Sequence, residues 1–288
     1  MFGNKNKAVN PDPHALAAAT FAQQFAGPNT VILFGSRATG GHRPESDMDV
    51  MLVCKNRGAT AERDVNLALK RYFDQNPPVL NVQLLAISEE RFNYCRRAPN
   101  HVAGQAWRLG VVMCPENLGD VQEPHDGYPD SWPDVKQRIL TTQRNLRSMT
   151  ALAQHEPEDQ ASYGFHGHQA IENSIKAWMS AAELEYRSVH DLQELADSLL
   201  SNPYESTTLA AELLLELMEY TSYTESEGPA GSINWLNKYA VTYRYGDTEY
   251  RMSPADQVRF VTLISRSAFA FMERAHQLTG TAPADLEE

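Results

Sequence analysis

Two short runs hold residues whose types and spacing could do chemistry: Gly35-Ser36-Arg37 directly after the apolar Val31-Ile-Leu-Phe34, and Ser46-Asp47-Met48-Asp49 leading into Val50-Met-Leu-Val-Cys54. Phosphoryl or nucleotidyl transfer requires triphosphate oxygens to be held, their charge neutralised, and divalent cations seated between protein carboxylates and phosphate. Each demand has a candidate here. Gly35 lets backbone approach a phosphate closely, Ser36 offers a hydroxyl and a backbone N–H at a helix start, and Arg37 adds a cation. Asp47 and Asp49 are two apart at a strand start, where side chains repeat with period two, so both carboxylates point to one face. Paired carboxylates suit hard Mg²⁺, which prefers oxygen ligands. Either run by itself reads as an ordinary turn or a solvated strand end, and it is their combination that carries information.

The elements needed to position them are present. His14 to Phe25 is Ala-rich and helical; Val31 to Phe34, Asp49 to Cys54 and Val79 to Ile87 read as strands, and Ala61 to Phe73 as an amphipathic helix ended by Asn76-Pro-Pro78. These make a small α/β sheet domain over residues 1–121. Glu123 to Asp130 collects turn residues and marks a boundary. Beyond it, over residues 130–288, strand signals nearly vanish. Trp132, Val135, Ile139, Leu146 and Met149 follow helical spacing, as do Ile171, Ile175, Trp178 and Ala182. Leu209 to Met218 gives a third helix, and Ser253-Pro254 caps a fourth that runs to about Gln277. Four amphipathic helices imply an all-α bundle. The expected fold class is therefore an α/β domain with a small mixed sheet, followed by a helical bundle.

The pattern of apolar strand, Gly-Ser-Arg-Ala, a Gly-containing loop and Ser-Asp-x-Asp closely resembles the minimal nucleotidyltransferases of the DNA polymerase β superfamily. The resemblance implies Gly35, Ser36, Arg37 and Ser46 on the nucleotide, Asp47 and Asp49 as catalytic ligands of Mg²⁺, and ATP or another NTP as donor. One departure matters. Active members place a third carboxylate on the following strand, and here that strand reads Val79-Leu-Asn81-Val-Gln83-Leu-Leu85. Asn81 and Gln83 occupy the matching positions, and both are amides, without negative charge and far weaker as bases. Glu89 and Glu90, just beyond, read as helix-start acids.

In the second part, His166-Gly-His168-Gln169-Ala-Ile-Glu172-Asn-Ser-Ile-Lys176, followed by His190-Asp-Leu-Gln-Glu, resembles the HEPN helical domain. Gln169, Glu172 and Lys176 recur at helical spacing; they read either as a solvated face with Glu–Lys pairing or as a face lining a cleft between the domains. Ribonucleases of the HEPN family carry an Arg followed four to six residues later by His. Tyr243 to Arg251 has no such His, and Arg96 with His101 falls before the bundle, so RNA cleavage is disfavoured. Histidines 166, 168 and 190 read as packed or capping residues rather than zinc ligands.

Charge divides unevenly. Residues 1–120 hold 13 Lys/Arg against 11 Asp/Glu, and residues 121–288 hold 12 against 26, a balance of −14. An acidic second part argues against a nucleic-acid track. No apolar run approaches the ~20 residues of a membrane span, and no signal peptide is evident at the first residue, so a cytoplasmic protein without membrane contact is expected. Cys54, Cys95 and Cys114 lack metal or disulfide spacing and read as buried thiols.

The resemblance also extends to aminoglycoside nucleotidyltransferases, which join such a sheet domain to a helical bundle. It implies transfer of a nucleoside monophosphate, AMP foremost, to a hydroxyl of a small acceptor, an aminoglycoside-like cation among the candidates. The missing carboxylate keeps two alternatives open: a nucleotide-binding regulator that has lost turnover, and a toxin–antitoxin-like pair that adds AMP to protein. The sequence also leaves a homo-oligomer open.

Overall fold

The computed structural model describes residues 29–39, 43, 46–54, 64, 67–68, 70–71, 74–75, 82–114, 127–186, 190–220, 233–245 and 252–286. The expected helix from His14 to Phe25 and the residue Asn81 lie outside that set, as does the first half of the expected boundary from Glu123 to Asp130. The chain divides into two compact units, residues 1–130 and 131–288.

The first unit is built on a four-stranded mixed sheet in the order β3-β2-β1-β4. Its strands are β1 (Asn29–Phe34), β2 (Met48–Cys54), β3 (Val82–Ser88) and β4 (Val111–Cys114). β1 runs antiparallel to β2 and to β4, whereas β2 and β3 are parallel. A five-residue helix α1 (Gly35–Thr39) follows β1 directly; α2 (Glu89–Cys95) follows β3; α3 (Val102–Leu109) precedes β4. Between β2 and β3 the described positions 64, 67, 68, 70, 71, 74 and 75 are helical, within and just beyond the stretch expected from Ala61 to Phe73.

The sheet has an apolar layer on each face. Ile32, Met51, Val53 and Ile87 pack with Phe92, Cys95, Ala103 and Ala106 of α2 and α3. Val31, Leu33, Met48, Val50, Leu52, Cys54 and Ala86 form the opposite layer. β2, central and apolar on both sides, reads as a continuous hydrophobic run for that reason. β4 escapes the sequence reading because its four residues, Val-Val-Met-Cys, offer too short a run to separate from a buried helix end. Ser88 caps α2, accepting from Arg91 N, and Glu89 and Glu90 stand in its first turn as expected. Cys54 and Cys95 are free and buried.

The second unit contains six α-helices among the described residues, not four: α4 (Trp132–His155), α5 (Gln160–Ala181), α6 (Leu192–Leu200), α7 (Leu209–Glu219), α8 (Asn234–Tyr245) and α9 (Pro254–Thr279), with a 3₁₀ turn at Pro283–Leu286. α6 and α8 were not anticipated: one is nine residues long, and the sequence of the other mixes Asn, Lys and Arg among its apolar and aromatic residues. The third expected helix, Leu209 to Met218, is α7, one residue longer at Glu219. Ser253 does cap α9, accepting from Asp256 N, with Pro254 as its first residue.

α5 is the centre of this unit, packed against α4, α6, α8 and α9. Its Gly164 and Gly167 leave room for the rings of Tyr239 and Phe260, which join Tyr163 and Trp235 in an aromatic cluster. Further along, Glu205 ties α5 to α9: it accepts from Trp178 Nε1 at 2.6 Å and from two Arg274 nitrogens at 2.9 Å. No described helix is long and apolar enough to cross a membrane.

Candidate active site

At one end of the sheet, the chain leaves β1 at Phe34, turns through Gly35 and enters α1. Register pairs Phe34 with Asp49 on β2, and Asp49 with Gln83 on β3. Three strands therefore deliver Gly35, Asp49 and Gln83 to one place. Asp47 stands just ahead of β2 and is reached by Gln83, whose Nε2 donates to Asp47 Oδ2 at 2.8 Å.

Gly35 is there for two independent reasons. Its φ is +72°, left-handed backbone that side chains with a Cβ adopt only with strain. A Cβ built at this position would also run into the carboxylate of Asp49. The glycine thus lets the turn and the acidic strand approach each other, a contact the sequence-level argument, which assigned Gly35 to phosphate approach, did not contain.

Arg37 and Ser46 meet just ahead of Asp47. Arg37 Nε donates to the Ser46 carbonyl at 2.9 Å, and the Ser46 hydroxyl accepts from Arg43 N at 2.9 Å. Both were expected on the nucleotide; in the protein they brace the chain immediately before Asp47. Ser36 is half-buried in the first turn of α1, and its carbonyl accepts from the Thr39 hydroxyl at 3.3 Å.

Electrostatically the pair of aspartates favours a cation. Partial burial, and then the neighbouring charge of Asp47, push the Asp49 carboxyl above its ordinary range. Two carboxylates that repel one another at the end of a strand are a donor set that fits a hard divalent ion. Among the described residues no group of three His, Cys, Asp or Glu side chains is disposed around a common metal position. Here the third side chain beside the two aspartates is the amide of Gln83.

The three polar residues singled out on α5 lie inside the second unit. Glu172 and Lys176 are 3% and 4% exposed, so the reading of a solvated face does not describe them, although the Glu–Lys pair itself is present. Lys176 Nζ donates to Glu172 Oε1 at 2.7 Å; Gln169 Nε2 and His190 Nδ1 reach the same carboxylate at about 3.1 Å. Burial alone would raise the Glu172 carboxyl, but the charge and hydrogen bond of Lys176, together with His190, hold it below its usual range. A second buried carboxylate adjoins. Asp134 of α4 accepts from Ser180 and Tyr186 at 2.6 and 3.0 Å and faces Arg138, which donates to Asn173. Asp134, Arg138, Ser180 and Tyr186 were not singled out from the sequence. The Asp134/Arg138 spacing of four was visible, but nothing in it distinguishes a buried pair from a surface one.

Of the other residues considered, His168 is fully buried beside Glu172, and burial pushes its imidazole below the usual range. His166 Nδ1 donates to Asn145 Oδ1, 2.8 Å away. Arg96 and His101 are structural: the Arg96 guanidinium lies 4.5 Å from the centre of the Trp107 ring, and His101 caps α3.

Comparison with known families assigns both units. Residues 18–97 match the family model described as Polymerase beta, Nucleotidyltransferase, and residues 136–275 match the HEPN domain model. No curated protein sequence matches the chain.

Proposed function

This chain is a polymerase-β-type nucleotidyltransferase domain joined to a HEPN domain, and from that premise we propose that it transfers a nucleoside monophosphate, AMP foremost, from Mg²⁺-NTP to a hydroxyl of a small acceptor. The observation that carries the reading is the convergence of Gly35, Asp47 and Asp49 at one end of the sheet, with Arg37 bracing the loop between them. Asp47 and Asp49 are the residues that would hold Mg²⁺. An ion held there would neutralise phosphate oxygens and stabilise charge on the departing pyrophosphate.

The chain's own groups supply orientation. Gly35 gives the triphosphate access to the backbone of the β1–α1 turn, and Ser36 offers its hydroxyl beside it. The acceptor oxygen attacks the α-phosphorus, the bond from that phosphorus to the bridging oxygen breaks, and pyrophosphate leaves. The acceptor proton passes to a base other than residue 83, whose amide cannot take it.

A strongly acidic helical part, at −14, favours a cationic acceptor such as an aminoglycoside-like amino sugar and disfavours nucleic acid. The Gln83 amide supports a second reading, a protein that binds nucleotide without turnover. Incubation of the purified protein with α-labelled ATP, Mg²⁺ and amino-sugar acceptors decides. Label on the small molecule is the expected result; label on protein would favour protein modification, and no transferred label the binding role.

A further inference from the structure

Parallel register sets Gln83 beside Asp49, and its side chain reaches across to Asp47. Gln83 is exposed, so apolar packing does not explain its position. An ionised carboxylate only accepts hydrogen bonds, which fixes the orientation of the amide: N–H toward Asp47, carbonyl oxygen away. One Asp47 oxygen is therefore engaged by a neutral donor, at the place where a third anion would otherwise stand.

That arrangement limits how many cations the site can hold. Where phosphoryl-transfer enzymes use two divalent ions, these sit about 3.5–4 Å apart, and their mutual repulsion has to be offset by protein carboxylates. Two carboxylates match the charge of one such ion. For a second, the described residues beside the two aspartates supply no further negative charge and present instead the positive end of the Gln83 amide dipole.

We propose that the site holds a single divalent cation, the one carried in by the nucleotide's phosphates, and that Gln83 is a positioning residue that turns Asp47 toward that cation and excludes a second. The proposal rests on the nucleotidyl-transfer reading and refines its metal requirement. It also follows that no second ion activates the acceptor hydroxyl on this strand, in keeping with a base located elsewhere.

The test is a Mn²⁺ titration of the full chain in the presence of a non-hydrolysable ATP analogue, with bound ions counted by electron paramagnetic resonance. The wild-type protein is expected to take up one Mn²⁺ per chain. Gln83→Glu, an exposed and nearly isosteric change, is expected to take up two, the second at least about tenfold more tightly than any second ion in wild type. Two ions of comparable affinity in wild type would overturn the proposal while leaving the nucleotidyl-transfer reading standing. A Gln83→Glu protein that still takes up one would do the same. Failure of both proteins to bind the analogue with Mn²⁺ would overturn the reading and the proposal together.

Discussion

Asp49 lies against Gly35 with its carboxyl raised by burial and by Asp47, so folding and the proposed cation binding oppose each other in this corner. A carboxyl whose folded value lies above its free value of 3.8 stabilises the fold when protonated, and that contribution is lost as pH rises through the raised value. At neutral pH and without a cation, the ionised pair is a net cost. Asp49→Asn is therefore expected to melt slightly above wild type in metal-free buffer by calorimetry, and Asp47→Asn and Asp49→Asn to lower kcat/KM by about 100-fold or more, about 2.7 kcal/mol in transition-state terms. Unchanged turnover at limiting Mg²⁺ would remove both aspartates from the assignment. Gly35→Ala meets a different obstacle: left-handed backbone and the Asp49 carboxylate together should lower stability by about 1–3 kcal/mol and abolish nucleotide binding, measurable by denaturant melts and titration calorimetry. The placement of Asp47 and Asp49 at the start of a strand was legible in the sequence because their spacing is local. The Gly35–Asp49 contact and the bond from Gln83 to Asp47 were not, because they depend on how three strands are registered.

At the scale of elements, α5 shows where sequence patterning stops being informative. Gln169, Glu172 and Lys176 have the spacing of a polar stripe, and a polar stripe ordinarily faces water. Here Glu172 and Lys176 are buried, with His190 at the Glu172 carboxylate and the Tyr186 ring 5.6 Å from Lys176 Nζ, and the charges survive burial by mutual pairing. Similarly, β4 and α8 lack the periodic signal that made β1, β2 and α9 readable, since the sheet edge and the neighbouring helices specify them. The buried pair makes a sharp prediction. Lys176→Met should destabilise the chain by about 3–5 kcal/mol, because Glu172 loses its counter-charge, whereas Glu172→Leu combined with Lys176→Met should recover most of that loss. The pH response should also invert. In wild type the Glu172 carboxyl is held low, so its stabilisation is present above its free value of 4.5 and declines as pH falls through the lower folded value. Without Lys176, burial raises the group instead, and the variant should gain stability on acidification from neutral pH. Melting curves from about pH 2 to 8, a window that extends below the ordinary carboxyl range, check both directions; parallel curves for the two proteins would contradict the pairing argument.

For the whole molecule, the separation of charge is the property that sequence alone supplies, since it belongs to composition rather than to any contact. A near-neutral first part and a second part at −14 should concentrate small cations and repel polyanions, and such attraction is screened over about 10 Å at 0.1 M salt. Affinity for an amino-sugar acceptor is expected to fall about tenfold between low and high ionic strength, while affinity for a neutral sugar stays level. Equal salt response for both would exclude charge as the selecting force. The Gln83 side chain carries one more consequence, in the language of the genetic code. Every glutamine codon is a single base away from a glutamate codon, and position 83 is exposed, so packing raises no barrier to the change. A carboxylate is thus always within one mutational step of this site. Relatives that keep the amide would reveal selection against the added charge, and relatives that have taken the step would form a natural series in which metal stoichiometry changes and the rest of the corner does not.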